Sequence, residues 1–290
     1  MLIFAGAVCP GAVQAENGAA TYLQAGVGAR WIGMGGAAIA AADDVHAAFY
    51  NPAGLSRMGT VSWQVGSMYA FQDLDRATSS LSFAHQTDAY GSFALSWVHR
   101  SIGGLEYVDA FGTASGVTSS TEDAILVSGA YDPLYQVRIG STVKILRHAM
   151  FGAAGSGFGL DFGVQCQPVL SDDLWIAAAV ENVAGSLAWA GASSDAPARA
   201  ISGGMAWRTL RQMVLIALDV VSSEGAVGTR VRAGAEIRPI PLAALRLGWD
   251  GLRPAAGASY VWKPYQFDYA YAYDPDGFSS RHLVSFLLHF

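Results

Sequence analysis

Asp43 and Asp44 stand side by side in a stretch otherwise rich in Gly and Ala, and Asn51-Pro52 follows shortly after. Side chains of these types cap short helical turns or pair with guanidinium groups elsewhere in a chain. Gly33, Gly35 and Gly36 permit positive φ and close backbone approach. They serve either the packing of a compact segment or direct contact with a ligand. Their spacing is not that of a phosphate-cradling loop. Catalysis fits poorly. His46, His85, His99, His148, His282 and His289 are scattered without metal-ligand spacing. Neither Gly-x-Ser-x-Gly nor His-Glu-x-x-His occurs. The chain therefore reads as a non-enzyme with no metal or other cofactor.

A second set of polar groups is spread along the rest of the chain: Arg138, Lys144, Asp161, Glu181, Arg208, Asp219, Arg230, Arg232, Glu236, Arg246 and Asp268. Each sits in an alternating segment, on the side opposite the apolar residues. Tyr135 to Arg147 is the clearest case, with Val137, Ile139, Val143 and Ile145 on one face and Gln136, Arg138, Thr142 and Lys144 on the other. If the segments close into a barrel, these charges face the lumen. Both signs are present, so they form either a salt-bridged filling or a polar conduit, and an unpaired charge there is costly.

The elements that position these groups are strands. Of 290 residues, 52% are hydrophobic and 14% charged, against roughly a quarter charged in soluble domains. No apolar run past the N-terminus nears the roughly 18 residues of a spanning helix. Period-two alternation instead marks about fourteen strands from Gly59 to Phe290, each near the roughly 9–11 residues that cross a bilayer at a tilt. Every second connection is tight, as at Asp132-Pro133-Leu134 and Lys263-Pro264, while Arg100 to Ser120 and Val183 to Ala198 are expected to be longer loops. Short turns on one side and longer loops on the other is the outer-membrane pattern. With no edge tolerated in lipid, the first and last strands must pair. Trp63, Trp97, Trp207, Trp249, Trp262, Tyr269 and Tyr271 are expected at the interfacial girdles.

The fold class read from these signals is all-β: a closed antiparallel transmembrane β-barrel of about fourteen strands with an N-terminal plug. Residues 1–15 read as a secretory signal peptide, with an apolar run from Leu2 to Val13 and small residues before Glu16. Residues 16–58 form the plug, with one or two short helical turns expected between Ala37 and Phe49, and residues 59–290 form the barrel. Cys9 leaves with the leader and Cys166 falls on the lipid face, so no internal disulfide is expected. The net charge of −6 and the lack of a basic cluster exclude nucleic acid as a partner.

Gly28-Ala29-Arg30, Gly33-Met34-Gly35-Gly36-Ala37, Ala42-Asp43-Asp44 and Asn51-Pro52-Ala53-Gly54-Leu55, in this order and spacing, resemble the N-terminal signature of the PorV/PorQ family of bacterial outer-membrane barrels, distant relatives of FadL-type transporters of hydrophobic compounds. The resemblance implies a place in the outer membrane and a partnership with a secretion or cell-surface assembly apparatus. The FadL-type alternative implies a channel for a hydrophobic small molecule, gated by the N-terminal segment. A third reading is a structural barrel within a larger envelope complex. Terminal Phe290, preceded by Phe286 and Leu288 at alternate positions, resembles the signal read by barrel-assembly machinery. Outer-membrane lipid and that machinery are therefore expected partners.

Overall fold

The computed structural model describes residues 20–59, 63–72, 75–87, 91–108, 114–150, 152–168, 171, 173–189, 194–224, 229–251, 253–273 and 280–290. The leader expected over residues 1–15 lies outside them. Fifteen strands follow the N-terminal stretch: β1 (Trp63–Gln72), β2 (Arg76–Thr87), β3 (Gly91–Val108), β4 (Ala114–Leu134), β5 (Val137–Met150), β6 (Ala153–Cys166), β7 (Leu174–Trp189), β8 (Ser194–Asp195), β9 (Ala200–Thr209), β10 (Val214–Ser223), β11 (Thr229–Ile240), β12 (Ala243–Asp250), β13 (Arg253–Trp262), β14 (Tyr265–Ala272) and β15 (Arg281–His289). Fourteen form a closed antiparallel ring. The two-residue β8 stands outside it, paired to β7.

Closure is made by β1 against β15, in register from Gln64 opposite His289 to Gln72 opposite Arg281. Trp63 N donates to Phe290 O at 2.8 Å, and Phe290 N donates to Trp63 O at 3.1 Å. The ring thus has no free edge, which satisfies the backbone groups that hydrocarbon would leave unpaired.

Side-chain alternation divides inside from outside. Leu95, Val127 and Ile145 are about half exposed, at 52%, 51% and 54%, while their inward neighbours Ala94, Leu126 and Leu146 are buried. Trp63, Trp97, Trp207, Trp249, Trp262 and Tyr269 are also exposed on the outer face. So continuous an apolar exterior exceeds the few-hundred-Å² patches that water-facing surfaces carry. Half-buried Cys166 lies on this outer parity as a free thiol.

The long loops expected over Arg100–Ser120 and Val183–Ala198 are largely strand. β3 runs for 18 residues and β4 for 21, and their pairing continues past Ile102 and Ser120. Gly103-Gly104, inside the expected Arg100–Ser120 loop, forms a bulge between Ile102 and Leu105, with Gly104 at φ +64°. Likewise β7 continues to Trp189, passing a second irregularity where Asn182 adopts φ +53° and Asp161 Oδ1 accepts from its amide at 2.8 Å.

The N-terminal stretch makes short turns: 3-10 turns at Thr21–Ala25, Val45–Phe49 and Pro52–Arg57, and a one-turn helix α1 (Ala29–Gly33). Only Val45–Phe49 falls where helical turns were expected. Asp44 caps it by accepting from His46 N at 3.0 Å. Asn51 caps the next, accepting from Ala53 N at 3.1 Å, with Pro52 opening the turn. Between Ala29 and Met58 almost every side chain is buried against the inside of the ring.

Candidate functional site

Glycine sets how closely the plug can approach the wall. Gly35 adopts φ +67°, and its backbone lies directly on β12, where a Cβ added at Gly248 would overlap the Gly35 amide nitrogen and the Met34 carbonyl carbon. A Cβ at Gly234 of β11 would come within 2.7 Å of the Met34 side chain, and one at Gly257 of β13 within 3.3 Å of Gly33 Cα. Across the lumen, Gly140 of β5 and Gly163 of β6 make room for Pro52-Ala53 and for the Asn51 side chain. The plug therefore meets the wall backbone to backbone on both sides, where side chains would hold them apart.

The seats are fixed by hydrogen bonds to wall side chains. Asp219 Oδ2 on β10 accepts from Ala38 N at 2.7 Å and Ile39 N at 2.9 Å. Gln64 Oε1 on β1 accepts from Val45 N at 2.9 Å, and Ser285 on β15 accepts from Ala29 N at 2.8 Å. Gln165 on β6 donates to Ala40 O at 2.7 Å. Asn51 Nδ2 donates to Ile39 O at 3.0 Å and to Val164 O of β6 at 3.2 Å.

At the centre is Arg30, whose side chain is 6% exposed and whose guanidinium meets three carboxylates. It lies 2.6 Å from Asp43 Oδ1, 3.4 Å from Asp44 Oδ2 and 3.1 Å from Glu236 Oε2. Arg208 of β9 pairs with the other Asp43 oxygen. Glu236 continues the chain of charge to Arg246 at 2.6 Å and Arg238 at 2.9 Å, and Arg246 to Asp268 at 3.1 Å. Asp44 also accepts from Trp31 Nε1 at 3.0 Å. Burial pushes the Asp43 carboxyl up, but Arg30 and Arg208 overcome it and hold the group below its ordinary value. Asp44 is likewise held low against burial, by its contacts with His46, Arg30 and Trp31.

The remaining charged positions lie on the inward parity of their strands. Lys144 and Asp161 pair at 2.8 Å, next to Asn182. Arg232 lies 3.2 Å and Arg230 3.8 Å from Asp250. Glu181 sits between β6 and β9 at the level of the Asn182 irregularity. Arg138 lines the short-turn mouth. Gly36 faces the Arg232 side chain, Gly33 faces Gly257, and Pro52 rests on Gly140. Phe290 closes the seam with Trp63. Among the described residues Asp44 meets plug side chains and amides, whereas Asp43 bridges plug and wall. The sequence reading singled out neither Arg30 as the hub nor the wall glycines. Arg30 stood in the motif, but its partner Glu236 is 206 residues away.

Above this ionic level, towards the long-strand end, one sector of the lumen is apolar. Met68 and Ala70 of β1, Val98 of β3, Ala124 and Leu126 of β4, Leu146 of β5, Leu187 of β7, Ala270 of β14 and Leu283 of β15 face inward there. Tyr22, Leu23, Val27 and Ile32 of the N-terminal stretch pack against them. Tyr50 ties this segment down, its hydroxyl accepting from Val27 N at 3.1 Å and donating to Val27 O at 2.9 Å. The buried Tyr22 hydroxyl has no hydrogen-bond partner among the described residues.

No family model matches the chain, and no curated protein matches it. Solved structures do. A Pseudomonas putida structure described as the toluene transporter TodX superposes with a TM-score of 0.63 at 15% identity, over 91% of this chain and 97% of that one. The Ralstonia pickettii toluene transporter TbuX gives 0.60 at 15%, over 91% and 98%. A Pseudomonas aeruginosa FadL homologue gives 0.56 at 11%, over 90% and 97%. The likeness is one of fold: a closed barrel of fourteen antiparallel strands.

Proposed function

We propose that this chain is an outer-membrane channel for small hydrophobic compounds, with the segment from Ala20 to Gly28 as the movable part of its plug. The observation that carries the reading is the apolar sector from Met68 to Leu283, inside a lumen whose other inward positions mix charged and hydroxyl side chains with alanines and a few larger apolar residues. A conduit for ions or sugars gains nothing from Val98, Leu126, Leu146 and Leu283 facing inward. A hydrophobic solute gains roughly 25 cal/mol for each Å² of apolar surface it removes from water there. Tyr22, Leu23 and Val27 occupy that sector, and a solute taking their place exchanges one apolar contact for another. Tyr22 is well suited to leave, since its hydroxyl is buried without a partner among the described residues. The apolar outer face supports a membrane setting for the barrel, and the short turns support a periplasmic position for the Trp63 and Phe290 ends. The neighbours described as toluene transporters point to the same ligand class. Partnership with an export apparatus, implied by the PorV/PorQ-like motif, has no such structural observation behind it.

The test is uptake of radiolabelled toluene by Gram-negative cells carrying the chain in their outer membrane. Uptake should exceed that of cells without it and should fall to their level in the double variant Val98→Asp with Leu126→Asp, with heat-modifiable gel migration confirming a folded barrel. Uptake equal to that of control cells, from folded wild-type protein, refutes the channel. Stoichiometric envelope proteins in a mild-detergent pull-down would then return the reading to an assembly role.

A further inference from the structure

A cavity of about 410 Å³ opens at the short-turn end of the barrel, below the plug and away from the apolar sector. Three of its lining residues are arginines: Arg57 from the last plug turn, Arg138 from β5 and Arg208 from β9. Among the described lining residues one is an acid, Asp43, and its two oxygens already serve Arg30 and Arg208. Asp132 lies 3.7 Å from Arg138 Nε, too far for a hydrogen bond, and is 45% exposed. Nε and Nη1 of Arg138, and Nε of Arg208, have no acceptor among the described residues although solvent does not reach them. Arg57 donates to Ala40 O at 2.8 Å and lies with its guanidinium 4.2 Å over the Trp175 ring. Burial chiefly, with repulsion from Arg208, Arg138 and Arg30 working against the pull of Asp43, holds the Arg57 guanidinium below its ordinary pKa.

A folded protein does not ordinarily gather three guanidinium groups around one already committed carboxylate, because like charges at close range are costly when partly buried. The cost is removed when an anion enters. We propose that this vestibule is a binding site for a small oxyanion, a carboxylate or phosphate group held between Arg138, Arg208 and Arg57. Planar guanidinium forks match the geometry of such groups, which a lysine cluster does not. The cavity has the size of an ordinary small-molecule site, and the Trp175 ring beneath the Arg57 guanidinium holds that cation in place at its edge. The site stands apart from the apolar sector and does not depend on the hydrophobic-compound reading.

The experiment is calorimetric titration of the full chain, folded in detergent at low ionic strength, with inorganic phosphate and with benzoate. Saturable binding of either probe is expected, weakened roughly tenfold or more in Arg138→Gln, as follows from losing one charge-assisted contact. Arg57→Gln is the second variant, with the same expectation, and heat-modifiable migration reports folding of both. Comparable binding of both probes identifies a bare oxyanion site, and binding of benzoate alone identifies a carboxylate carried on an apolar body. Absence of saturable binding to the wild-type chain for both probes, or unchanged binding in a folded Arg138→Gln or Arg57→Gln variant, overturns the proposal.

Discussion

Gly248→Ala adds a single methyl group to a barrel strand and should unseat the plug. The new Cβ would lie closer to the Gly35 nitrogen and the Met34 carbonyl carbon than the 3.0 Å limit that real Cβ atoms respect. Both obstacles are backbone, so no side chain can swing aside. If the plug yields in place, overpacking of this kind costs about 1–3 kcal/mol. Arg30, however, lies one helical turn before Met34 and is bonded to Glu236 on the neighbouring strand. A displacement that breaks that buried pair raises the cost to about 3–5 kcal/mol. The control is Gly203→Ala on the outward face of β9, whose added Cβ finds its nearest atom at 3.9 Å. The assay is single-channel conductance in planar bilayers, with the midpoint of heat-induced unfolding in detergent measured alongside. Gly248→Ala should show a lower midpoint and frequent openings absent from wild type, and Gly203→Ala neither. If the two variants behave alike, the plug is not seated on the glycine face, and the reasoning fails.

Two further outcomes test the ionic level. Arg30→Gln leaves Asp43, Asp44 and Glu236 without the cation they share and should cost about 3–5 kcal/mol, read as a lowered unfolding midpoint; an unchanged midpoint would remove Arg30 from its role as hub. The pH dependence follows from the depressed Asp43 and Asp44 carboxyls. Groups whose folded pKa lies below the unfolded value contribute stability that is complete above about pH 4, the unfolded carboxylate range, and is lost as pH falls through the folded values. Plug-closed conductance should therefore hold constant from neutral pH to about pH 4 and rise in stronger acid, and a rise centred near pH 7 would contradict this.

The barrel was legible because period-two alternation is a repeated signal, renewed in every strand from Trp63 to the C-terminus. The seam between the Trp63 and Phe290 strands follows from the need to leave no edge, and it is formed. What the alternation hid was the extent of β3 and β4, since Gly103-Gly104 resembles a loop and is a bulge within continuing pairing. The eleven charges could be assigned to one face, but not to partners. Nothing in the chain says that Asp43 should meet Arg208 or that Arg30 should meet Glu236, because those meetings are set by register around the ring. The wall glycines were the least visible of all. Gly140, Gly163, Gly234, Gly248 and Gly257 look like weak points in strand patterns, and their purpose emerges only when another backbone is found lying on them. The apolar sector was masked in the same way, because inward residues such as Met68 and Ala70 alternate with outward residues as hydrophobic as themselves.

The ring of plug seats bears on the order in which the molecule is made. Contacts from residues 29 to 53 reach β1, β6, β10, β11 and β15, on all sides of the lumen. With backbone resting on backbone at the glycines, a finished cylinder has no clearance through which this piece could later be slid into position. The segment must then be standing in place while the β1–β15 joint is still open, with the strands wound about it as hoops about a former. The first residues of the chain to fold would set the girth of everything that follows, and the last strand to arrive, ending at Phe290, would lock them in.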